Sequence, residues 1–526
     1  MLSCSVDLTP TAGDWQWHPQ GWCRAVDWIR PLAHPALEAR AVTDGTATLM
    51  VVRERATGRA SLLRSAVPPR VDGAMYARAL EECRAWPLQG IWIEARPDGL
   101  RLETGLGGVC PLYLTFADGQ LNGSWQLMDL HPTSGAHHLD EREVTRLLAG
   151  RPRYGHATVF SCVKRLSERS TAYANVADGL RLTYPAAAEH AHPGQLAAHT
   201  GADDLVAAFE TLIERILARR PLAAQHTAAQ LSGGMDSTNL ALCLALAYPA
   251  TITPCALLIG GEAGPQQEAR RRTVIEHTGF AADCTVRAAE HLPLSPGGLR
   301  RARPEAISPL DEPYVEAGDA LAQALRARDL HTVVTGFGGD EVARAYPEEH
   351  REAGVPEPGP PAWCGERVRD LLGEVNTGIA PATVAPETAL IALEAATPLL
   401  ARRGLWTLAP FTDADLVRFG ERLPTEWKSD KQLLHQRLAT RGLPEVVVHP
   451  VHRENFAHLM NTAVHRYASG LLRSWGKDLH LIDQGYLDAG VLAESVERAA
   501  LSPTEAAPYR TGLFLITAME LALRAL

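Results

Sequence analysis

The segment LSGGMDS at residues 231–237 holds the residue types best suited to binding an anion. Two adjacent glycines allow the backbone to turn sharply and to approach a ligand closely. The segment follows a predicted strand and opens a predicted helix, whose free N–H groups and positive dipole end face the same space. The pattern therefore predicts a phosphate-binding loop. Its candidate binding residues are Leu231, Ser232, Gly233, Gly234, Asp236 and Ser237.

The aspartate makes this prediction more specific. Asp236 would repel a bare phosphate, so its presence predicts a cation between the two groups, most simply Mg²⁺. A second acidic glycine segment, GFGGDE at residues 336–341, also follows a predicted strand. Ligands in an open α/β sheet lie beyond the carboxyl ends of its strands, so both loops are expected at one site. Asp236 and Asp340 are the predicted metal ligands. The predicted cofactor-binding residues of the second loop are Gly336, Phe337 and Gly338.

An ordinary structural explanation stays open for each loop. The first would be a glycine turn in which Asp236 and Ser237 cap a helix. The second would be a glycine-rich turn with an exposed acidic pair. Neither loop has the GxxxxGK[ST] pattern of nucleotide triphosphatases, because the required lysine is missing. Two acidic loops at the ends of two strands of one sheet favour the metal-bridged interpretation.

The elements that must position these loops alternate between helix and strand. Apolar residues at helical spacing predict a helix over residues 203–219. A strand at 227–231 and a helix at 237–247 surround the first loop, and further strands are predicted at 252–259 and 332–335. Alternation of this kind predicts a parallel sheet covered by helices.

The N-terminal part of the chain has a different pattern. Short strand-like runs at residues 46–52, 91–95 and 112–116 are separated by turn signals. Residues 186–194 have the composition of a linker. We therefore predict a mixed α/β protein, with a β-rich layered domain over residues 1–195 and an α/β domain over residues 200–526.

Composition narrows the function classes. The 526 residues carry a formal net charge of -10, which disfavours binding to a nucleic-acid backbone. No apolar run reaches the ~18–20 residues of a membrane span, and the first residues lack the pattern of a signal peptide. The nine cysteines show no CxxC or other metal-ligand spacing, which indicates reduced thiols. These features predict a cytoplasmic protein that binds neither nucleic acid nor membrane.

The two loops together resemble the PP-loop synthetase domain of the asparagine synthetase family. Residues 410–413 resemble that family's PFLD segment, and residues 423–444 resemble its LP, K..LR and LP run. In the N-terminal part, residues 108–113 and 163–166 resemble segments of the family's glutaminase-type domain. The resemblance implies an N-terminal glutaminase-like domain of the Ntn type, a C-terminal synthetase domain, and ATP and Mg²⁺ as cofactors.

Departures from the family's pattern bear on the source of the amine. A glutamine-hydrolysing member needs a cysteine exposed at its N-terminus, whereas Met1 is followed here by Leu2, with Cys4 further into the chain. Phe337 stands where related enzymes have a tyrosine or glutamate, and it can do no acid–base chemistry. Val451 stands where the family has a late lysine. We therefore expect no glutaminase activity and an amine supplied by the substrate.

By resemblance, these departures point to members that form intramolecular amides: β-lactam synthetases, carbapenam synthetases and lasso peptide macrolactam cyclases. A peptide amine already held beside an acyl-adenylate needs less help, since proximity alone supplies ~7–11 kcal/mol of the barrier. The resemblance therefore implies an AMP-forming cyclase that joins an Asp or Glu side chain of a leader-free peptide to its N-terminal amine. Lys431, His452 and Arg453 are the candidate catalytic residues. A leader peptidase or another biosynthetic protein is the expected partner.

Other functions stay open. One is a small-molecule amide synthetase similar to the β-lactam synthetases. Another is an inactive relative that serves as a scaffold in a biosynthetic complex, which the missing Tyr/Glu and Lys residues motivate. A PP-loop activity on tRNA is disfavoured by the acidic charge and by the β-rich N-terminal part.

Overall fold

The computed structural model of the chain describes residues 1–9, 13–59, 65–130, 138–189, 201–302, 307–343, 359–452 and 454–526. The predicted domain boundary at residues 195–200 and the candidate residue Arg453 lie outside these ranges. The division of the chain at that boundary therefore stays a prediction.

The N-terminal part consists of two antiparallel sheets. Its strands are β1 (Leu2–Asp7), β2 (Gln16–His18), β3 (Gly21–Arg24), β4 (Asp27–Pro31), β5 (Leu37–Thr43), β6 (Thr48–Glu54), β7 (Gly90–Arg96), β8 (Gly99–Thr104), β9 (Tyr113–Ala117), β10 (Gln120–Ser124), β11 (Lys164–Arg165), β12 (Thr171–Asn175) and β13 (Gly179–Thr183). One sheet has the order β11-β9-β10-β1-β4-β3-β2 and the other β13-β12-β8-β7-β6-β5. Helices α1 (Gly73–Arg84) and α2 (Glu141–Leu148) accompany them.

The two sheets share one apolar layer. In β1, burial alternates along the strand, as a sheet with one face toward the core requires. Leu2 and Cys4 of β1 belong to the same buried cluster as Met50 and Val52 of β6 in the other sheet. The face-to-face arrangement accounts for the strand-like runs and the layered architecture expected from the sequence.

The C-terminal part is built on a parallel sheet. Its strands are β14 (Thr227–Gln230), β15 (Thr253–Leu258), β16 (Cys284–Arg287), β17 (Thr332–Val334) and β18 (Trp406–Leu408), in the order β16-β15-β14-β17-β18. All four neighbouring pairs are parallel, so the carboxyl ends of these strands lie at one edge. The mixed α/β fold predicted from the sequence is thus confirmed.

Helices cover both faces of this sheet. The helices of the C-terminal part are α3 (Ala202–Ala218), α4 (Met235–Ala247), α5 (Gly264–Thr278), α6 (Leu299–Ala302), α7 (Val315–Arg326), α8 (Gly339–Ala343), α9 (Glu366–Leu371), α10 (Glu387–Arg402), α11 (Ala414–Arg422), α12 (Thr425–Lys428), α13 (Gln432–Thr440), α14 (Glu445–Val448), α15 (Ala457–Ala463), α16 (Ser469–Trp475), α17 (His480–Asp483), α18 (Ala489–Ala499), α19 (Pro503–Ala506) and α20 (Arg510–Arg524). Ala228 of β14 packs in a cluster with Leu325 of α7, and Ala229 packs in a cluster with Leu240 of α4. Because successive strand residues point to opposite faces, both faces of β14 are buried. No helix in the described ranges has the length and apolar character to cross a membrane.

A buried ion pair joins the two parts of the molecule. Arg165 of β11 donates to Glu394 of α10 over 2.7 Å, and both side chains are almost completely buried. Tyr113 of β9 donates to the same carboxylate oxygen over 2.6 Å. Burial raises the pKa of Tyr113, which keeps its hydroxyl protonated as a donor. The N-terminal sheets are therefore fixed against the helices of the C-terminal part by a polar contact that water does not reach.

Removing the carboxylate of this pair should be costly. Glu394→Ala leaves the Arg165 guanidinium buried without its partner, and we expect a loss of about 3–5 kcal/mol in the free energy of unfolding. The midpoint of urea unfolding, followed by circular dichroism, measures this loss. Asp178→Ala is the matched control, because Asp178 and Arg181 form an exposed pair that contributes about 1 kcal/mol or less. Equal midpoints for the two variants would contradict the role of Glu394.

Candidate active site

The first glycine loop lies at the carboxyl edge of the parallel sheet, between β14 and α4. Gly233 adopts a φ of 97°, a region that side-chain-bearing residues rarely occupy. The hydroxyl oxygens of Ser232 and Ser237 are 2.8 Å apart, and the N–H of Gly234 donates to the Ser232 hydroxyl over 3.2 Å. The loop is therefore closed on itself, and both hydroxyls stand beside the first turn of α4. This arrangement suits an anion at the first turn of α4, and anion binding itself stays a prediction.

The second glycine loop packs directly against the first. A Cβ atom on Gly339 would lie 2.5 Å from Cβ and Cγ of Asp236, and one on Gly336 would lie 3.0 Å from the backbone nitrogen of Ser237. Gly338 has a φ of 91°, and a Cβ atom there would be 2.9 Å from Cγ2 of Thr412. Glycine is thus required at 336 and 339, where a side chain would force the two loops apart, and at 338, where it would collide with Thr412.

Lys431 occupies the space between the two acidic loops. Its Nζ atom lies 2.6 Å from Oδ2 of Asp236 and 2.7 Å from Oδ1 of Asp340. The sequence predicted a shared cation between these carboxylates, and the structure places the lysine ammonium there. Of the two predicted catalytic residues that the structure describes, Lys431 and His452, Lys431 is the one that contacts the predicted metal ligands.

Burial and charge act in opposite directions on this group. Burial raises the pKa of Asp236 above its ordinary range, although the nearby ammonium opposes the change. Burial alone would lower the pKa of Lys431, but the two carboxylates outweigh it and raise that pKa. Oδ1 of Asp236 is buried and has no hydrogen-bond partner among the described residues. A cation beside it therefore favours the charged form of the Asp236 carboxylate.

The backbone that carries Lys431 is strained. Asp430 and Lys431 have φ values of 46° and 59°, and neither is a glycine. Such conformations cost ~1–3 kcal/mol each and persist only where the surrounding structure holds them. Helix α13 begins immediately afterwards, and the guanidinium of its Arg437 donates to both the backbone and the side-chain oxygen of Asn239 in α4 over 3.0 Å. The helix that carries Asp236 and the helix that follows Lys431 are thus fastened to each other.

Helix α5 supports the first loop from the other side. The Gln267 side chain donates to the Ser232 carbonyl over 2.7 Å and accepts from the N–H of Ile259 over 2.9 Å. Arg270, almost fully buried, donates to Glu454 over 2.5 Å. Glu454 in turn lies close to Gly233, with Oε1 only 3.0 Å from the position of a Cβ atom on that glycine. These polar groups hold the loop in shape without contacting the acidic pair.

The other catalytic candidate within the described ranges, His452, lies on the segment that leads to Glu454. His452 is half-exposed, with Nδ1 4.0 Å from Glu262, and its backbone is held by the Gln266 side chain. Because the chain continues to Glu454 beside Gly233, the segment with His452 does run past the loop. Phe337 packs partly buried against the main apolar core, and Val451 is 87% exposed. Neither side chain offers a proton donor or acceptor to the site.

The N-terminal sheets present no activated cysteine at Cys4. This residue is 2% exposed within β1. Burial raises its pKa to about 12, so it stays a thiol at neutral pH. Since the thiolate is the nucleophile in cysteine chemistry, Cys4 is unsuited to glutamine hydrolysis.

A group of potential metal ligands lies at the opposite edge of the sheet. Asp329 stands 3.3 Å from Nδ1 of His226 and 3.2 Å from Nε2 of His331, just before β14 and β17. The Arg326 guanidinium donates to Nδ1 of His331. The neutral ring then carries its proton on Nε2, directed at Asp329, where a metal would need a lone pair. We interpret this group as a hydrogen-bonded network.

The comparison with known families agrees with this geometry. Residues 208–409 match the family model described as asparagine synthase. This segment is similar to the asparagine synthase family over that range. It contains both glycine loops and all five strands of the parallel sheet, whereas Lys431 and the N-terminal sheets lie outside it. No curated protein matches the chain. Proteins of this family are ATP-dependent ligases that form amides.

Sequence reasoning missed the polar support of the first glycine loop. Gln267, Arg270 and Glu454 were not among the candidates, although they fix the position of the first loop. The sequence of α5 did indicate such a support. Its core-facing positions, where apolar residues are expected, hold Gln267, Arg270 and Arg271. Buried polar residues next to a glycine loop are therefore worth testing as supports.

The close approach of the two loops can be tested at Gly339. In Gly339→Ala the new methyl group collides with Asp236, and we expect a loss of about 1–3 kcal/mol in the free energy of unfolding. Urea unfolding measures the change. The control is Gly470→Ala, where a Cβ atom meets nothing within 4 Å and alanine should stabilise helix α16 by about 0.5–1 kcal/mol. Equal free energies of unfolding for the two variants would contradict the close packing of Gly339 against Asp236.

Proposed function

We propose that this protein is an AMP-forming carbon–nitrogen ligase that activates a carboxylate with ATP and transfers the acyl group to an amine. The observation that carries the proposal is the meeting of Asp236, Lys431 and Asp340 beside the Ser232–Ser237 loop. A phosphate-binding loop joined to a shared cation site suits the release of pyrophosphate. The match of residues 208–409 to the asparagine synthase family supports the same reaction class.

The first step forms an acyl-adenylate. A carboxylate oxygen of the substrate attacks the α-phosphorus of ATP, and the bond to the β-phosphate oxygen breaks with loss of pyrophosphate. The N–H groups of the first turn of α4 and the hydroxyls of Ser232 and Ser237 receive that leaving group. Asp236 and Asp340 would hold Mg²⁺, whose charge offsets that of the pyrophosphate. Oδ1 of Asp236, which has no hydrogen-bond partner in the part of the chain that the structure describes, fits this role.

The second step forms the amide. The amine nitrogen attacks the carbonyl carbon of the adenylate, AMP leaves, and the nitrogen loses a proton to solvent or to a basic group nearby. Phe337 cannot take that proton, and Val451 supplies no cation. The site therefore has to work mainly by holding the two reactants together, a contribution that alone reaches ~7–11 kcal/mol.

For the substrate, we propose a leader-free peptide whose N-terminal amine closes onto its own Asp or Glu side chain, as in lasso peptide cyclases. The buried, un-ionised Cys4 supports an amine that comes from the substrate and not from glutamine. An intramolecular amine also suits a site that offers little acid–base help. A leader peptidase or another biosynthetic protein would supply this peptide. A small-molecule amide synthetase is the second candidate.

The proposal predicts the products of ATP consumption. Incubation with Mg²⁺, ATP and candidate leader-free peptides should give AMP, pyrophosphate and a peptide lighter by one water, measured by chromatography and mass spectrometry. Asp236→Asn should abolish all three products, because the cation site loses a buried carboxylate. Asp178→Asn, at an exposed surface pair, should leave them unchanged.

Other results would change the assignment. ADP and phosphate in place of AMP and pyrophosphate would rule out adenylation. An amide formed only from small molecules would favour the second candidate. Unimpaired product formation in cells that carry Asp236→Asn would indicate a non-catalytic role for this chain.

A further inference from the structure

We propose that Lys431 occupies the cation position between Asp236 and Asp340 in the nucleotide-free protein, so that a divalent metal binds tightly only together with ATP. This inference rests on the proposed function and adds an order of binding to it. The Lys431 ammonium contacts one oxygen of each carboxylate, at 2.6 and 2.7 Å. Both expected metal ligands are therefore already engaged by a resident cation.

The electrostatic balance explains why metal alone should bind weakly. Two carboxylates and one ammonium leave one net negative charge at the site. A divalent ion that enters with the ammonium in place meets a like charge within the same contact shell, which offsets about half of its attraction to the two carboxylates. The triphosphate changes this balance. It brings several negative charges to the Ser232–Ser237 loop, and these charges attract both the metal and the ammonium.

The geometry lets the ammonium move while its backbone stays fixed. Lys431 is anchored by its left-handed conformation and by helix α13, whose Leu433, Leu434 and Leu438 are fully buried. The lysine stem is long and flexible, so the charged end can swing from the carboxylates to a phosphate. Asp236 cannot follow, because Gly339 packs against its Cβ atom. Movement of Lys431 thus frees the carboxylates without disturbing the two loops.

Binding of Mn²⁺ alone tests this order. Free Mn²⁺ is measured by electron paramagnetic resonance, without nucleotide and then with an ATP analogue that has a methylene bridge between the α- and β-phosphorus atoms. We expect weak binding of Mn²⁺ alone to the native protein, and an affinity raised tenfold or more in Lys431→Met. With the analogue present, the native protein should bind Mn²⁺ tightly.

Matched variants locate the effect. Lys431→Arg keeps the charge and should leave the affinity for Mn²⁺ alone low. Lys477→Met removes an exposed lysine elsewhere and should behave as the native protein. Adding Asp340→Asn to Lys431→Met should abolish the gain in affinity. Because Asp340 is largely exposed, this second change should leave the fold intact, which circular dichroism verifies.

The outcomes separate this inference from the proposed function. Equal affinities for Mn²⁺ alone in the native protein and Lys431→Met would overturn the inference. Tight binding of Mn²⁺ by the native protein without nucleotide would overturn it as well. If the native protein bound neither the analogue nor Mn²⁺ with the analogue, the proposed function itself would fail. Tight binding of the analogue with no metal would mean that Lys431 replaces the ion permanently, which also contradicts the proposed order.

Discussion

The contact of one ammonium with two carboxylates, Lys431 with Asp236 and Asp340, is the interaction on which the rest of the site depends. Asp236 is buried deeply enough that burial raises its pKa, and it shares its surroundings with a second acidic loop. Without a cation, the carboxylates of the buried Asp236 and the more exposed Asp340 would repel each other, which favours protonation of Asp236. A site in which the fold brings two carboxylates together is suited to binding a positive charge.

Holding these groups in place requires backbone features that are unfavourable elsewhere. Glycines at 336 and 339 let two strand ends approach until their loops touch. The left-handed conformations of Asp430 and Lys431 add strain, and the buried contact between Arg437 and Asn239 keeps the helices in position. Strained backbone conformations persist only where the surrounding structure holds them, and they are common at functional sites. The N-terminal sheets contribute rigidity through Glu394 and Arg165, and not through a reactive Cys4.

Local sequence patterns could predict the loops, but not the contacts between them. The strand, glycine turn and helix around Asp236 follow from neighbouring residues, as does the second loop at Gly336. The short strands β16 and β18 were not predicted. Strand β18 depends on tertiary contacts, because its Trp406 pairs with β17 and its indole N–H donates a hydrogen bond to Glu54. The left-handed turn at Lys431 has no glycine to signal it. Its place between the carboxylates depends on how α13 packs, which is a tertiary effect.

Adenylation is the central claim, and an isotope label tests it most directly. The acceptor carboxylate of a candidate peptide is enriched in a heavy oxygen isotope, and the products of its reaction with ATP are analysed by mass spectrometry. If the carboxylate attacks the α-phosphorus, the label appears in AMP, and pyrophosphate carries none. Label found in inorganic phosphate, with AMP unlabelled, would mean attack at the γ-phosphorus and would contradict the account.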